Sequence, residues 1–168
     1  MTRDDRPRPA PGEPLERGPR DSEGRRVGVI GPRLPTSISW RFLSCSLEAP
    51  ETVTVGEPAP FFFRVKNRAP TSLTLECASS RTWGWFVDDV PEAGVGRFEP
   101  PAKPATVAFG PREQRTFVGR WDGQFRETDG ERERWVPATG TRTLTTYLAV
   151  ENWETRGLTA TADLTVRG

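Results

Sequence analysis

Arg81-Thr82-Trp83-Gly84-Trp85 is the densest group of side chains suited to recognition in a chain that contains no histidine. If the segment is extended, Trp83 and Trp85 fall on one face, and two readings stand for them. Both indoles plug a core, since aromatic side chains bury the most area, or they form a recognition surface with Arg81 stacked on or beside an indole. Asp88 and Asp89 are the nearest acids. As neighbours on a strand they point to opposite faces, so they do not form a carboxylate pair flanking one bond, which needs roughly 5–9 Å between groups facing each other. A turn or cap is their expected role.

The missing histidine removes the most frequent general base, the usual partner of Ser and Cys nucleophiles, and the commonest metal ligand. Cys45 and Cys77 are the only cysteines, and a metal held by thiolates alone needs about four. They are read as small buried hydrophobes carrying free thiols. No catalytic residue, metal ligand or cofactor-binding residue is assigned, and the expectation is a protein that is not an enzyme and carries no cofactor.

Charge narrows the partners. The net charge is +1 with acids and bases interleaved, so no global field attracts nucleic acid or an anionic membrane. Arginine outnumbers lysine 22 to 2, which a GC-rich genome explains more simply than a binding role. No apolar run approaches the ~20 residues that span a bilayer. The first residues are rich in Arg, Asp and Pro with no apolar stretch, so they do not read as a secretory signal. A soluble cytoplasmic protein is the expectation.

Two materials make up the chain. Residues 1–35 hold seven prolines, eight arginines and six acids. Such a segment buries too little apolar surface to offset the entropy of ordering it, so a disordered tail is expected there. Residues 36–168 are expected to form one domain. In Ala59–Asn67, Phe61, Phe63 and Val65 share one face and Arg64 and Lys66 the other. In residues 158–167, Leu158, Ala160, Ala162, Leu164 and Val166 alternate with Thr159, Thr161, Asp163, Thr165 and Arg167. Period-2 alternation writes a strand with one buried face. Further strands are expected at 40–47, 52–55, Leu73–Cys77, 83–90, Ala105–Phe109, Gln114–Trp121 and 142–150. No comparable window has a 3.6-residue period. The fold class that follows is all-β, an antiparallel sandwich of seven to nine strands.

Two connections are long, 91–104 and 122–140, and long loops in compact domains carry function or mobility. The first holds four prolines with Val95 and Phe98, and stiff loops lose less entropy on binding. The second is dense in charge with a turn signal at Asp129-Gly130, which reads as a solvated hairpin tip and competes with the first as a contact segment. The first is favoured as the working surface, joined to the segment that leads into it. The candidate partner-binding residues are Arg81, Trp83, Trp85, Val95 and Phe98. The competing reading folds Phe98 back over the core.

Four motifs in order carry a family resemblance. They are Val55-Gly56-Glu57-Pro58 leading to Phe63-Arg64-Val65-Lys66-Asn67; Leu73–Cys77 followed by Trp85-Phe86-Val87-Asp88; Gly110-Pro111-Arg112-Glu113 before a strand closing on Trp121; and the Gly-led strand from Gly140 to Leu148. This series resembles the bacterial intracellular proteinase inhibitor family, an immunoglobulin-like β-sandwich. The chain departs from that family where Gly110 precedes Pro111, in the apparent insertion around 131–135, and in the strand added after Val150. The resemblance implies an immunoglobulin-like sandwich and a non-catalytic, loop-borne contact with a protein partner, a proteinase being one candidate. The alternatives are an assembly module joining its own copies or a larger complex through a sheet edge or the Trp patch, and a carbohydrate-binding module using Trp83 and Trp85.

Overall fold

A computed structural model of the chain describes residues 36–95 and 103–168. The expected disordered tail and Phe98 lie outside the described residues. The rest is an immunoglobulin-like β-sandwich. Twelve strands are described: β1 Leu43–Glu48, β2 Thr52–Thr54, β3 Ala59–Asn67, β4 Leu73–Cys77, β5 Trp83–Val87, β6 Val90–Pro91, β7 Ala105–Phe109, β8 Gln114–Trp121, β9 Gln124–Asp129, β10 Arg132–Pro137, β11 Gly140–Leu148 and β12 Thr159–Arg167. A four-residue helix, α1 Thr36–Ser39, precedes them. One sheet runs β1-β3-β8 and the facing sheet β2-β12-β11-β5-β6, while β4-β7 and β9-β10 form separate pairs. β2 joins the second sheet by pairing parallel with β12, so the leading segment passes from one sheet to the other through the 49–51 break.

Alternation places the core where the sequence reading put it. Phe61, Phe63 and Val65 of β3 are fully buried, as are Leu144 and Leu148 of β11, while Leu158, Leu164 and Val166 face them from β12 and its approach. The core has two lobes. One gathers Phe63, Val65, Leu73, Leu75, Cys77, Val107, Phe109 and Leu148 under the β4-β7 pair. The other gathers Val53, Phe61, Val87, Trp121, Leu144 and Val166. Trp83 packs against both. Gly119 of β8 lies on Phe61, whose ring occupies the space a β-carbon would need.

Three local expectations are corrected. Trp40–Phe42 forms a 3-10 turn ahead of β1 rather than its start. There the Trp40 indole N–H donates to Ser37 O at 3.1 Å, a local closure that competes with extended pairing. The 83–90 run is broken at Asp88 and Asp89, both left-handed with φ of 45° and 68°. Val87 pairs with Val90 across them, so the two acids are a two-residue hairpin turn, which needs positive φ at both positions and which Asp tolerates. Asp88 also accepts from the Thr143 N–H at 2.9 Å and pairs with Arg142 at 3.0 Å, fastening the turn to β11. The 122–140 connection, read as a long charged segment with a hairpin tip, is paired along most of its length as the hairpin β9-β10. Its turn residues are Gly130 and Glu131, one step beyond the Asp129-Gly130 signal, with Gly130 left-handed at φ 60°.

The cysteines do not meet. Cys45 pairs with Val65 in the first sheet and Cys77 lies on β4, and both thiols are free. Burial pushes both thiols above their ordinary value, Cys45 to about 12.

Candidate functional site

The 91–104 segment begins with backbone strain. Glu92, Ala93 and Gly94 all hold positive φ, at 47°, 51° and 81°. Two non-glycine residues in this region cost on the order of 1 kcal/mol or more each. Packing holds them there. Ala93 is fully buried, Gly94 rests on the backbone carbonyl of Arg126 in β9, and Arg81 Nη1 meets Glu92 Oε1 at 2.6 Å. The turn thus leans on the β9-β10 hairpin and leaves Val95 47% exposed at its end.

Between that turn and the hairpin lies an open groove of about 420 Å³. Trp85 of β5 and Trp121 at the end of β8 line it, with Arg120 and Asp122 flanking Trp121. Glu92 and Val95 come from the left-handed turn, Pro58 from the approach to β3, and Trp135 from β10. The tryptophans are held in different ways. Trp121 is buried and its indole N–H donates to Gln124 O at 2.8 Å. Trp85 meets Phe61 edge-on at 5.2 Å. Trp135 is 48% exposed. The Arg126 guanidinium lies 5.9 Å from its ring, and Arg126 is itself ion-paired to Glu133. Two anchored indoles and one exposed indole, with Arg120, Asp122 and Glu92 around them, make a surface for an apolar or aromatic group flanked by polar atoms.

The structure divides the candidates named from sequence. Trp85 and Val95 come together in the groove. Arg81 supports it from behind through Glu92. Trp83 belongs to the core: it stacks on Phe117 at 5.5 Å and Phe63 at 6.4 Å, joining the two sheets. Phe98 lies outside the described residues. Trp135 was absent from the sequence candidates. Its signal was a bulky indole in a charge-dense segment, where a solvated strand gains nothing from it.

A second aromatic group lies on the outer face of the β11-containing sheet. Tyr147 stacks on Trp153 at 4.5 Å, and Phe86 sits 6.1 Å from Tyr147 and 6.2 Å from Trp153. Among the described residues no cluster of three His, Cys, Asp or Glu side chains is arranged to hold a metal ion, and no helix is long and apolar enough to cross a membrane.

Comparison with solved structures finds a CARDB domain from Pyrococcus furiosus, 17% identical, covering 74% of this chain and 94% of that one, with a TM-score of 0.43. The same domain in complex with di-metal ions gives 17% identity, 74% and 87% coverage and a TM-score of 0.41. A β-glucosidase from Listeria innocua is 13% identical, covering 75% of this chain and 16% of that one, with a TM-score of 0.45. No curated protein matches the sequence. The resemblance to the proteinase inhibitors rests on strand motifs alone, and the structure bears out its sandwich. The family model that matches, over residues 33–167, is one of unknown function, and the chain belongs to that family, DUF7974.

Proposed function

We propose that this domain is a non-catalytic binding module that takes a protein partner in the groove between Trp85, Trp121 and Trp135. The observation that carries the reading is the exposed Trp135, seated beside two anchored indoles and Val95. Indoles are rigid, large and enriched where binding energy concentrates. The lack of histidine in the sequence leaves the groove's Glu92, Arg120 and Asp122 as polar rim groups, with no nucleophile and base among them. We place the module in the cytoplasm, with no nucleic acid or membrane as partner, and a proteinase is one class of partner to test.

The outer-face group of Phe86, Tyr147 and Trp153 favours a second reading, an assembly module that uses this sheet face to meet its own copies or a larger complex. The two readings separate experimentally. The wild-type chain, Trp135→Ala and Trp153→Ala are used side by side for affinity capture, light scattering and titration against a panel of proteinases. Loss of a captured protein with Trp135→Ala alone supports the groove. Loss of self-association with Trp153→Ala alone supports assembly. Capture insensitive to Trp135→Ala, or a glycan retained by the groove in place of protein, overturns the first reading.

A further inference from the structure

We propose that the free edge of β8 docks an extended peptide bearing acidic side chains, which adds to the sheet as an antiparallel strand and sets an apolar side chain into the tryptophan groove. This rests on the reading above that the groove takes a protein partner.

β8 is eight residues long and pairs with β3 along one side, and among the described residues no strand lies on its other side. An unpaired edge presents a row of backbone N–H and C=O groups that templates strand addition. The chain's own neighbour has been steered away. β7 precedes β8 by a short turn, as a hairpin would require, yet it pairs with β4. Asn67 Nδ2 donates to Gly110 O at 2.7 Å, and the Arg112 N–H donates to Ala69 O at 3.0 Å. Both contacts tie the turn to the end of β3, so β7 leaves toward β4 and the β8 edge stays open.

The side chains select the occupant. Val118, facing outward at mid-strand, is 53% exposed, an apolar platform for a side chain on an added strand. On the same face Arg64 is ion-paired to Glu48 at 2.6 Å, whereas Lys66 and Arg120 have no ion pair among the described residues. Along this strand face the uncompensated charge is positive, with Asp122 lying beyond its end in the groove, so acidic side chains are favoured over β8 itself. A second copy of β8 fits poorly. Two-fold antiparallel pairing keeps outward faces on one side, so it sets the second copy's Lys66 and Arg120 on the face that already carries these two charges and compensates neither. β8 also ends in the groove, which Arg120 and Trp121 line with Trp85, Val95 and Trp135. An antiparallel strand therefore meets the groove with its N-terminal part.

The test pans a displayed library of random nine-residue peptides on the full chain, with Arg120→Glu for counter-selection. Enriched peptides are then synthesised with alternate amides N-methylated, one set per strand edge. The expected winners are acidic with an apolar residue near the N-terminus. They should lose about tenfold or more in affinity on Arg120→Glu, lose binding with one N-methylated set and keep it with the other. Hydrogen exchange of 114–121 should slow on binding. Failure to enrich against Arg120→Glu, or equal binding by both N-methylated sets, overturns strand addition. If those peptides still lose affinity on Trp135→Ala, the groove stands while the edge proposal falls. Edge binding that Trp135→Ala leaves unchanged removes the groove from the proposal.

Discussion

Gly84 lies directly beneath the Tyr147 ring, so that a β-carbon at position 84 would sit 2.5 Å from the phenol oxygen and 2.6 Å from Cζ. The two residues are cross-strand partners in β5 and β11. The ring cannot simply swing away, because its stack on Trp153 at 4.5 Å holds it from another side. Replacing glycine within a strand ordinarily gains about 0.5–1 kcal/mol, but here overpacking dominates and costs about 1–3 kcal/mol. Gly84→Ala should lower the melting temperature by several degrees. In a Tyr147→Ala background the same substitution should be neutral or stabilising. Thermal melts of the two single variants and the double variant check this, and additive losses would contradict the contact.

Asn67 is fully buried where β3 ends, and its side chain is completely used. Nδ2 donates to Thr71 O at 2.8 Å and Gly110 O at 2.7 Å, while Oδ1 accepts from the Ala69 N–H at 2.8 Å. One amide thereby closes the β3-β4 turn and fixes the β7-β8 turn to it. Asn67→Ala strands buried backbone groups, each costing about 1–3 kcal/mol, so a loss of about 3 kcal/mol or more is expected by urea denaturation. Asn67→Asp keeps the size and the acceptor but faces two carbonyls with a carboxylate. It should be no better tolerated at pH 7. A loss within 1 kcal/mol for both variants would show that the turns hold without the amide.

Glu113 gives the fold a defined response to acid. Its carboxylate accepts from the Gly110 N–H at 2.5 Å and from Arg115 at 2.9 Å. These donors, the backbone N–H first, hold its pKa below the ordinary 4.5. A carboxyl whose folded pKa is depressed stabilises the fold above its unfolded value, and that contribution fades as pH falls through the folded one. Wild-type melting temperature should therefore decline from about pH 4.5 downward. Glu113→Gln should be less stable at neutral pH and show a flatter acid limb. Added salt should weaken the Arg115 part, because that pair is half-exposed. Parallel pH curves for the two proteins would remove Glu113 from this role.

The sequence by itself determined the class of fold and the inward face of most strands. Phe61, Phe63 and Val65, and likewise Leu158, Leu164 and Val166, are buried as alternation requires, because a pleated strand turns successive side chains to opposite sides. Asp88 and Asp89 were expected as a turn or cap, and the structure shows the turn with both at positive φ, which Asp tolerates. The β9-β10 hairpin was not legible as strands. Its faces are mostly charged and exposed, so no apolar alternation marks it; backbone pairing holds it with the Arg126–Glu133 and Arg134–Glu127 pairs. Tertiary structure alone decided the site. Trp83 and Trp85 share a face, yet Trp83 meets Phe63 and Phe117 inside the sandwich while Trp85 opens on the groove. Residues 85, 95, 121 and 135 converge there from four segments. Alternation states which side of its own strand a residue occupies. Which strands lie opposite one another depends on long-range packing, which no local pattern carries.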